Sequence, residues 1–229
     1  MAKLVIGDLH APFELWSYLR FLKRLARENK IDEVISIGDI TDQHTTARFL
    51  RSPNAEGTKR EWYKAREVLK RYQGELGLSK VVIGNHDTRL IKRSREGGLP
   101  DEWLKPLDEI YGLKDVEFAE EFIIDEVCYI HGVSGGGESG WQDYCKKNGM
   151  STVIGHFHSI GGIRYHTQRD GSVLFSLATG CGVNKDAYAF EYAKGNPKVP
   201  VIGAGIVYGK SRAYFEPFDP TDRRNSRRD

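Results

Sequence analysis

Short apolar runs, each closed by glycine, a carboxylate or histidine, punctuate this chain. Lys3 to Gly7 reads as a strand ending in Asp8-Leu9-His10, where the i, i+2 spacing puts Asp8 and His10 on one side of an extended backbone. From Pro12 to about Asn29, the residues Phe13, Trp16, Leu19, Phe21, Leu22 and Leu25 recur at helical spacing opposite Arg and Lys, which predicts an amphipathic helix. Glu33 to Gly38 predicts the next strand, ending at Asp39. Strand, helix, strand in that order implies parallel pairing, with the polar residues at the carboxyl ends of the strands.

Helical segments are expected over about Thr45 to Leu50 and Lys59 to Tyr72, followed by a strand from Lys80 to Ile83 that runs into Gly84-Asn85-His86-Asp87. Asp87 would cap a helix through Arg93, and Pro100 to Tyr111 holds another. The texture then changes. Val116 to Phe118, Phe122 to Ile124 and Val127 to Ile130 are short, β-rich and closely spaced, which predicts antiparallel pairing. His131 ends one of these strands, and a Ser134-to-Gly140 loop leads into a helix from Trp141 to Lys147. Thr152 to Ile154 ends in Gly155-His156-Phe157-His158. Ile160 to His166 and Ser172 to Ala178 flank Asp170-Gly171, a hairpin signal. Asn184 to Lys210 has aromatics, glycines and prolines without periodicity and predicts a long ordered surface loop; Arg212 to Phe218 predicts a last strand. The expected fold is α/β (α+β), a β-sandwich with helices outside. It forms one domain over residues 1–219, with a frayed basic tail over 220–229.

Composition narrows the class without naming a function. Across 229 residues, 39% are hydrophobic and 29% charged, and no apolar run approaches the roughly 20 residues that a membrane helix needs. Asp8 and His10 lie within the first dozen residues, leaving no room for a signal peptide, so a cytoplasmic protein is expected. A net charge of +2 neither demands nor excludes nucleic acid. Cys128, Cys145 and Cys181 are odd in number and lack Cys-x-x-Cys spacing, against a disulfide framework or thiolate zinc site.

A pair of neighbouring divalent ions needs a bridging carboxylate, several imidazoles and hard oxygen ligands, and five strand ends here offer that set, with Asp39 the candidate bridge. The series Asp-x-His, Gly-Asp-x-x-Asp, Gly-Asn-His-Asp, a lone His and Gly-His-x-His resembles the calcineurin-like metallophosphoesterases, in the family's order, from Lys3 to about Ala178. In length and in its Gly7-Asp-Leu-His-Ala-Pro12 opening the chain is similar to the short stand-alone bacterial and phage members. The resemblance implies a four-layer αββα sandwich of two mixed sheets flanked by helices. It implies one metal on Asp8, His10, Asp39 and His158 and a second on Asp39, Asn85, His131 and His156. Mixed nitrogen and oxygen ligation without thiolate suits manganese, iron, zinc or nickel alike, with manganese the working expectation. The implied activity is hydrolysis of phosphomonoesters or phosphodiesters, nucleotides among them, by hydroxide generated between the metals. His86 would protonate the leaving alkoxide, oriented and kept cationic by Asp87.

The protein serine/threonine phosphatase branch carries Arg where this chain has Gln43 and Ile83, which counts against that branch. His44, Arg48 and Arg89 are the candidate replacements for its phosphate contacts, although Arg89 also reads as a helix-surface charge. His166 reads as a satisfied hairpin residue, and Asp42 as a support for the Asp39 loop. The Gly135-to-Gly137 run reads as a connection, and Gly203-Ala-Gly205 has the wrong spacing for a nucleotide fingerprint. The aromatics between Tyr188 and Tyr208 would pack their loop or form a homo-oligomer contact. The Arg223-Arg224 and Arg227-Arg228 pairs read as a solvated tail. Two further readings stand beside the small-phosphoester hydrolase: a DNA nuclease of the same superfamily, weakened by the lack of a coiled-coil insertion or capping domain, and a non-catalytic metal-dependent scaffold. Relatives of the last kind often lack a ligand or the general-acid histidine; here none is missing.

Overall fold

β1 (Lys3–Ile6) is buried along its whole length because it has a hydrophobic layer on each side. Leu4 and Ile6 face one layer and Val5 the other, as the two-residue period of a strand requires. A computed structural model describes residues 1–48, 52–132, 140–193 and 199–226. The remaining elements are α1 (Tyr18–Glu28), β2 (Glu33–Ser36), α2 (Thr58–Leu76), β3 (Leu78–Val82), α3 (Arg89–Glu96), α4 (Leu107–Tyr111), β4 (Glu117–Ala119), β5 (Glu121–Ile124), β6 (Val127–Ile130), α5 (Tyr144–Asn148), β7 (Ser151–Ile154), β8 (Gly161–Thr167), β9 (Val173–Thr179), β10 (Gly203–Gly209), β11 (Arg212–Pro217) and α6 (Arg223–Ser226).

Two mixed sheets form, in the orders β11-β10-β1-β2-β3-β4 and β5-β6-β7-β9-β8. Val5, Ile35, Ile37 and Val82 of the first pack against Phe122, Val127, Tyr129, Val153, Phe175 and Leu177 of the second. The other face of the first sheet buries Leu4 and Ile6 against Phe21, Leu22 and Leu25 of α1 and Leu69 and Tyr72 of α2. Trp141, Ile154 and Ala178 form a smaller cluster on the far side of the second sheet. Helices therefore flank two sheets, as expected.

β1, β2 and β3 are mutually parallel, and so are β6, β7 and β9, so the loops that follow β1, β2, β3, β6 and β7 emerge at carboxyl ends. Those five loops carry the histidines and carboxylates singled out above.

Several expectations are corrected. β4 is not part of an antiparallel run with β5 and β6; it extends the first sheet parallel to β3. The expected 184–210 loop contains β10, which pairs antiparallel with β1 in the middle of the first sheet. The expected helix over Thr45 to Leu50 is only a 3-10 turn, His44–Thr46, within the described residues. Asp87 does not cap α3, whose N-cap is Thr88. The tail is docked as far as α6, where Asn225 is buried and accepts a hydrogen bond from Arg24 Nε at 3.2 Å. The Gly135-to-Gly137 run and the Arg227-Arg228 pair lie outside the described residues. Cys128, Cys145 and Cys181 are free and buried. Among the described residues no helix is long and apolar enough to cross a membrane.

Candidate metal centre

The ligand loops are held in backbone conformations that L-residues rarely adopt. His10, Asp39, Gln43 and His156 have φ of 51°, 46°, 52° and 68°, each at a cost of roughly 1–3 kcal/mol that the surrounding packing must offset. The glycines beside them make room. A Cβ on Gly84 would overlap both the side chain and the main-chain nitrogen of Asp39, and one on Gly155 would crowd Asp8 Oδ1.

Asp8, His10, Asp39, His131, His156 and His158 converge, in three overlapping groups whose ligand atoms lie within 4.8 Å of one another: Asp8, His10 and His158; His10, Asp39 and His86; Asp39, His131 and His156. His158 Nε2 is 3.0 Å from Asp8 Oδ2 and 3.0 Å from His10 Nε2. On the other side, Asn85 Oδ1 is 3.1 Å from His131 Nε2 and 3.0 Å from His156 Nδ1, and the two imidazole nitrogens are 3.4 Å apart. Asp39 connects the halves: Oδ1 accepts the His86 N–H at 2.7 Å, while Oδ2 is 3.3 Å from His131 Nε2 and 3.7 Å from His10 Nε2.

The donor set fits metal ions. Two ligands bound to one ion at about 2.0–2.1 Å lie about 2.9–3.4 Å apart in octahedral or tetrahedral geometry; the ligand separations given above fall there except His10 Nε2 to Asp39 Oδ2, which is longer at 3.7 Å. The tautomers agree as well. His131 Nδ1 donates to the Ile37 carbonyl at 3.0 Å and His10 Nδ1 to Asp42 Oδ2 at 2.8 Å, so both Nε2 lone pairs point inward. His131 Nε2 lies 3.1 Å from Asn85 Oδ1, so both atoms can turn a lone pair to one cation in place of a proton.

The electrostatics express the same demand for positive charge. Burial opposes ionisation of Asp39, yet His131, His86 and His10 hold its carboxyl far below the usual range. Burial likewise opposes protonation of His131, but Asp39 and Asp8 raise it to about 10.

The family model of the calcineurin-like phosphoesterases matches residues 1–192, a span that contains every one of these ligands. The chain belongs to this family. No curated protein sequence matches it significantly. Among solved structures, a metallophosphoesterase from Sphaerobacter thermophilus shares 14% identity at a TM-score of 0.50, covering 96% of this chain and 89% of the other. Vps29 from Chaetomium thermophilum shares 13% identity at a TM-score of 0.50, covering 97% and 91%. At such identities the likeness concerns the fold. The family is dinuclear-metal dependent, and this chain has His and Asp groups able to hold metal.

Beside the cluster, His86 differs from expectation. Its Nδ1 donates to the Asp42 carbonyl at 3.0 Å, and its Nε2 accepts from Arg89 Nη2 at 2.8 Å. Asp87 is not its partner: that carboxylate accepts the Gly84 N–H at 2.9 Å and the Thr41 N–H at 3.2 Å, tying the β2 and β3 loops together. Burial, and next the Asp39 charge, push Asp87 up to about 7. Burial and the neighbouring His10 push His86 down to about 3, so its imidazole is neutral at neutral pH rather than cationic.

The three substrate candidates separate. Arg89 lies at the centre, donating to the Asp42 carbonyl at 2.7 Å as well as to His86. Arg48 is exposed and paired with Glu96. His44 is 2% exposed, accepts the Ser52 N–H at 3.3 Å and packs beside Tyr188 and Phe13. Two supports had no sequence signature: the Ile37 carbonyl and Glu61, whose carboxylate accepts the His44 and Thr45 N–H groups at 2.6 and 3.1 Å. On α3, Lys92 and Arg93 follow Arg89 at i+3 and i+4, a spacing readable in the sequence, and Arg95 lies a fraction of a turn further along.

Proposed function

We propose that the chain hydrolyses phosphomonoesters or phosphodiesters with two divalent cations, manganese first among them. One would be held by Asp8, His10, Asp39 and His158 and the other by Asp39, Asn85, His131 and His156. The observation that carries this reading is the placement of Asp39 Oδ2 between His131 Nε2 at 3.3 Å and His10 Nε2 at 3.7 Å, one histidine from each of the two ligand sets. Cations bound there supply Lewis acidity for the phosphoryl oxygens and activate water at neutral pH.

The chain's own residues prepare that chemistry. Asp42 and the Ile37 carbonyl fix the tautomers of His10 and His131. Arg89 offers its guanidinium to the phosphate, turning from His86 as substrate enters. His86 faces the leaving oxygen through Nε2; the negative charge of the bound substrate raises its proton affinity, so that Nε2 takes up a proton from solvent and passes it to the leaving oxygen. Asp87 serves as a strut between loops and not as the histidine's partner.

The test is hydrolysis of a nitrophenyl monoester and a bis-nitrophenyl diester with Mn²⁺, Fe²⁺, Zn²⁺ or Ni²⁺, and with chelator. Turnover that needs metal is expected. Inert substrates under every metal, with metal still bound, would favour a scaffold.

A further inference from the structure

Next to the proposed centre lies a groove of about 520 Å³ lined by Thr46, Ala47, Arg48, Asn85, Arg89, Lys92, Arg93, Arg95 and Glu96. Asn85, a metal-ligand candidate, forms one wall, so the groove opens directly onto the reacting position. Five cationic side chains line it beside one carboxylate, Glu96, which pairs with Arg48 and Arg93, while Asp42 and Asp101 pair with Arg89 and Arg95 from outside the lining. That imbalance is local, since the whole chain carries only +2.

The cations form a graded row. Arg89 touches the centre through His86 and the Asp42 carbonyl. Arg93 is a strut, with Nε and Nη2 donating to the Thr46 and Ala47 carbonyls at 2.7 and 2.8 Å, which fixes the groove floor. Lys92 is exposed, one position along. Arg95 lies farther out, with Nε donating to both oxygens of Asp101 at 2.9 and 3.1 Å. Asp101 opens the 3-10 turn Asp101–Trp103, and Trp103 is 74% exposed. Six helical steps from Arg89 to Arg95 advance about 9 Å, enough to reach the phosphate next to the scissile one.

A monoester with one phosphate would leave this row unused. We infer that the substrate is a single strand of nucleic acid, its scissile diester at the metal centre, the adjoining phosphate on the α3 row and a base against Trp103. This rests on the phosphoesterase reading above and names its substrate class. Cationic grooves combined with exposed aromatic rings hold single strands in this way, because phosphates supply affinity and any unpaired base offers a face for stacking; Trp103 stands two residues beyond Asp101, the partner of Arg95 on the groove lining. A duplex keeps its base faces stacked and offers none to Trp103.

The test is fluorescence anisotropy of the metal-loaded protein with a short labelled oligothymidylate carrying hydrolysis-resistant phosphorothioate links, titrated between about 50 and 200 mM salt. The wild type should bind, with affinity falling steeply with salt. Lys92→Ala with Arg95→Ala should weaken binding on the order of tenfold and flatten the log–log salt slope by about 0.7, the value for one phosphate. Trp103→Ala should weaken it at least about fivefold, and Trp103→Phe should restore most of that. Equal affinity in the wild type and the double variant would overturn the inference, as would equal binding of duplex and single strand. The two readings fail separately. Metal-dependent diester hydrolysis without strand binding sinks the groove assignment alone, whereas strand binding without hydrolysis of any ester sinks the phosphoesterase reading.

Discussion

Asp42→Asn isolates a single hydrogen bond that positions a ligand. Asp42 Oδ2 holds His10 Nδ1 at 2.8 Å where His10 is 0% and Asp42 2% exposed. Burial opposes the Asp42 charge, but His10 holds the carboxyl below its usual range, so the ionised form is what the site uses. Asparagine keeps the shape and can still accept the bond, but without charge. A charge-assisted bond is worth about 1.5–3 kcal/mol against about 1 for a neutral one, and loss of such outer support weakens metal binding about 10–100-fold. Mn²⁺ affinity measured by isothermal titration should fall by that factor, about 1.4–2.7 kcal/mol. Turnover of bis-nitrophenyl phosphate at saturating Mn²⁺ should recover, because Arg89 and His86 bind the Asp42 main-chain carbonyl, which the substitution leaves in place. Asp42→Ala should be worse, leaving the buried His10 N–H without its acceptor. Unchanged Mn²⁺ affinity with a lower saturated rate would refute the argument and put Asp42 in the chemistry instead.

Other consequences follow from the same geometry. His86→Ala should retain both metals by titration and lose turnover chiefly on esters with poor leaving groups; equal rates on such an ester would remove the proton-donor role. Gly84→Ala drives a Cβ into Asp39 and should cost about 3 kcal/mol or more, a fall of roughly 2–4 °C in Tm per kcal/mol by thermal melting. Adding Mn²⁺ at about 100 times its Kd should stabilise the protein by about 2.7 kcal/mol, a gain largely lost in Asp39→Asn. In the metal-free protein, Asp39 and Asp8 overcome burial and raise His131 from 6.5 to about 10. A raised imidazole pKa contributes fully below its unfolded value and is lost as pH passes its folded value. The metal-free Tm should therefore decline between pH 7 and 10, and the metal-loaded protein, whose His131 carries no Nε2 proton, should not follow that decline.

Where a feature was local and chemically unusual, the sequence disclosed it. Asp8, His10, Asn85, His156 and His158 sit immediately after apolar runs, and the unbroken apolar stretches of β1 and β2 placed those runs in a core. β10 was hidden because Gly203, Gly205 and Gly209 read as a loop. Gly203 and Gly161 are small because Phe215 packs against both, a contact across distant segments. β4 followed the same logic: three short strands close in sequence suggested hairpins, but parallel pairing to β3 is set by packing that no local pattern records. At the centre, residue type was readable and pairing was not. Asp87 looked like the partner of His86 because it is adjacent in the chain, whereas the fold brings Thr41 and Gly84 to it and gives His86 the Asp42 carbonyl.

An anomalous-scattering map of crystals grown with Mn²⁺ tests the central claim most directly. Two peaks about 3.5–4 Å apart, one on either side of Asp39 Oδ2 and contacted by His158 and His131 respectively, are the predicted result. A lone peak, or ions that leave Asp39 uncontacted, would contradict the account.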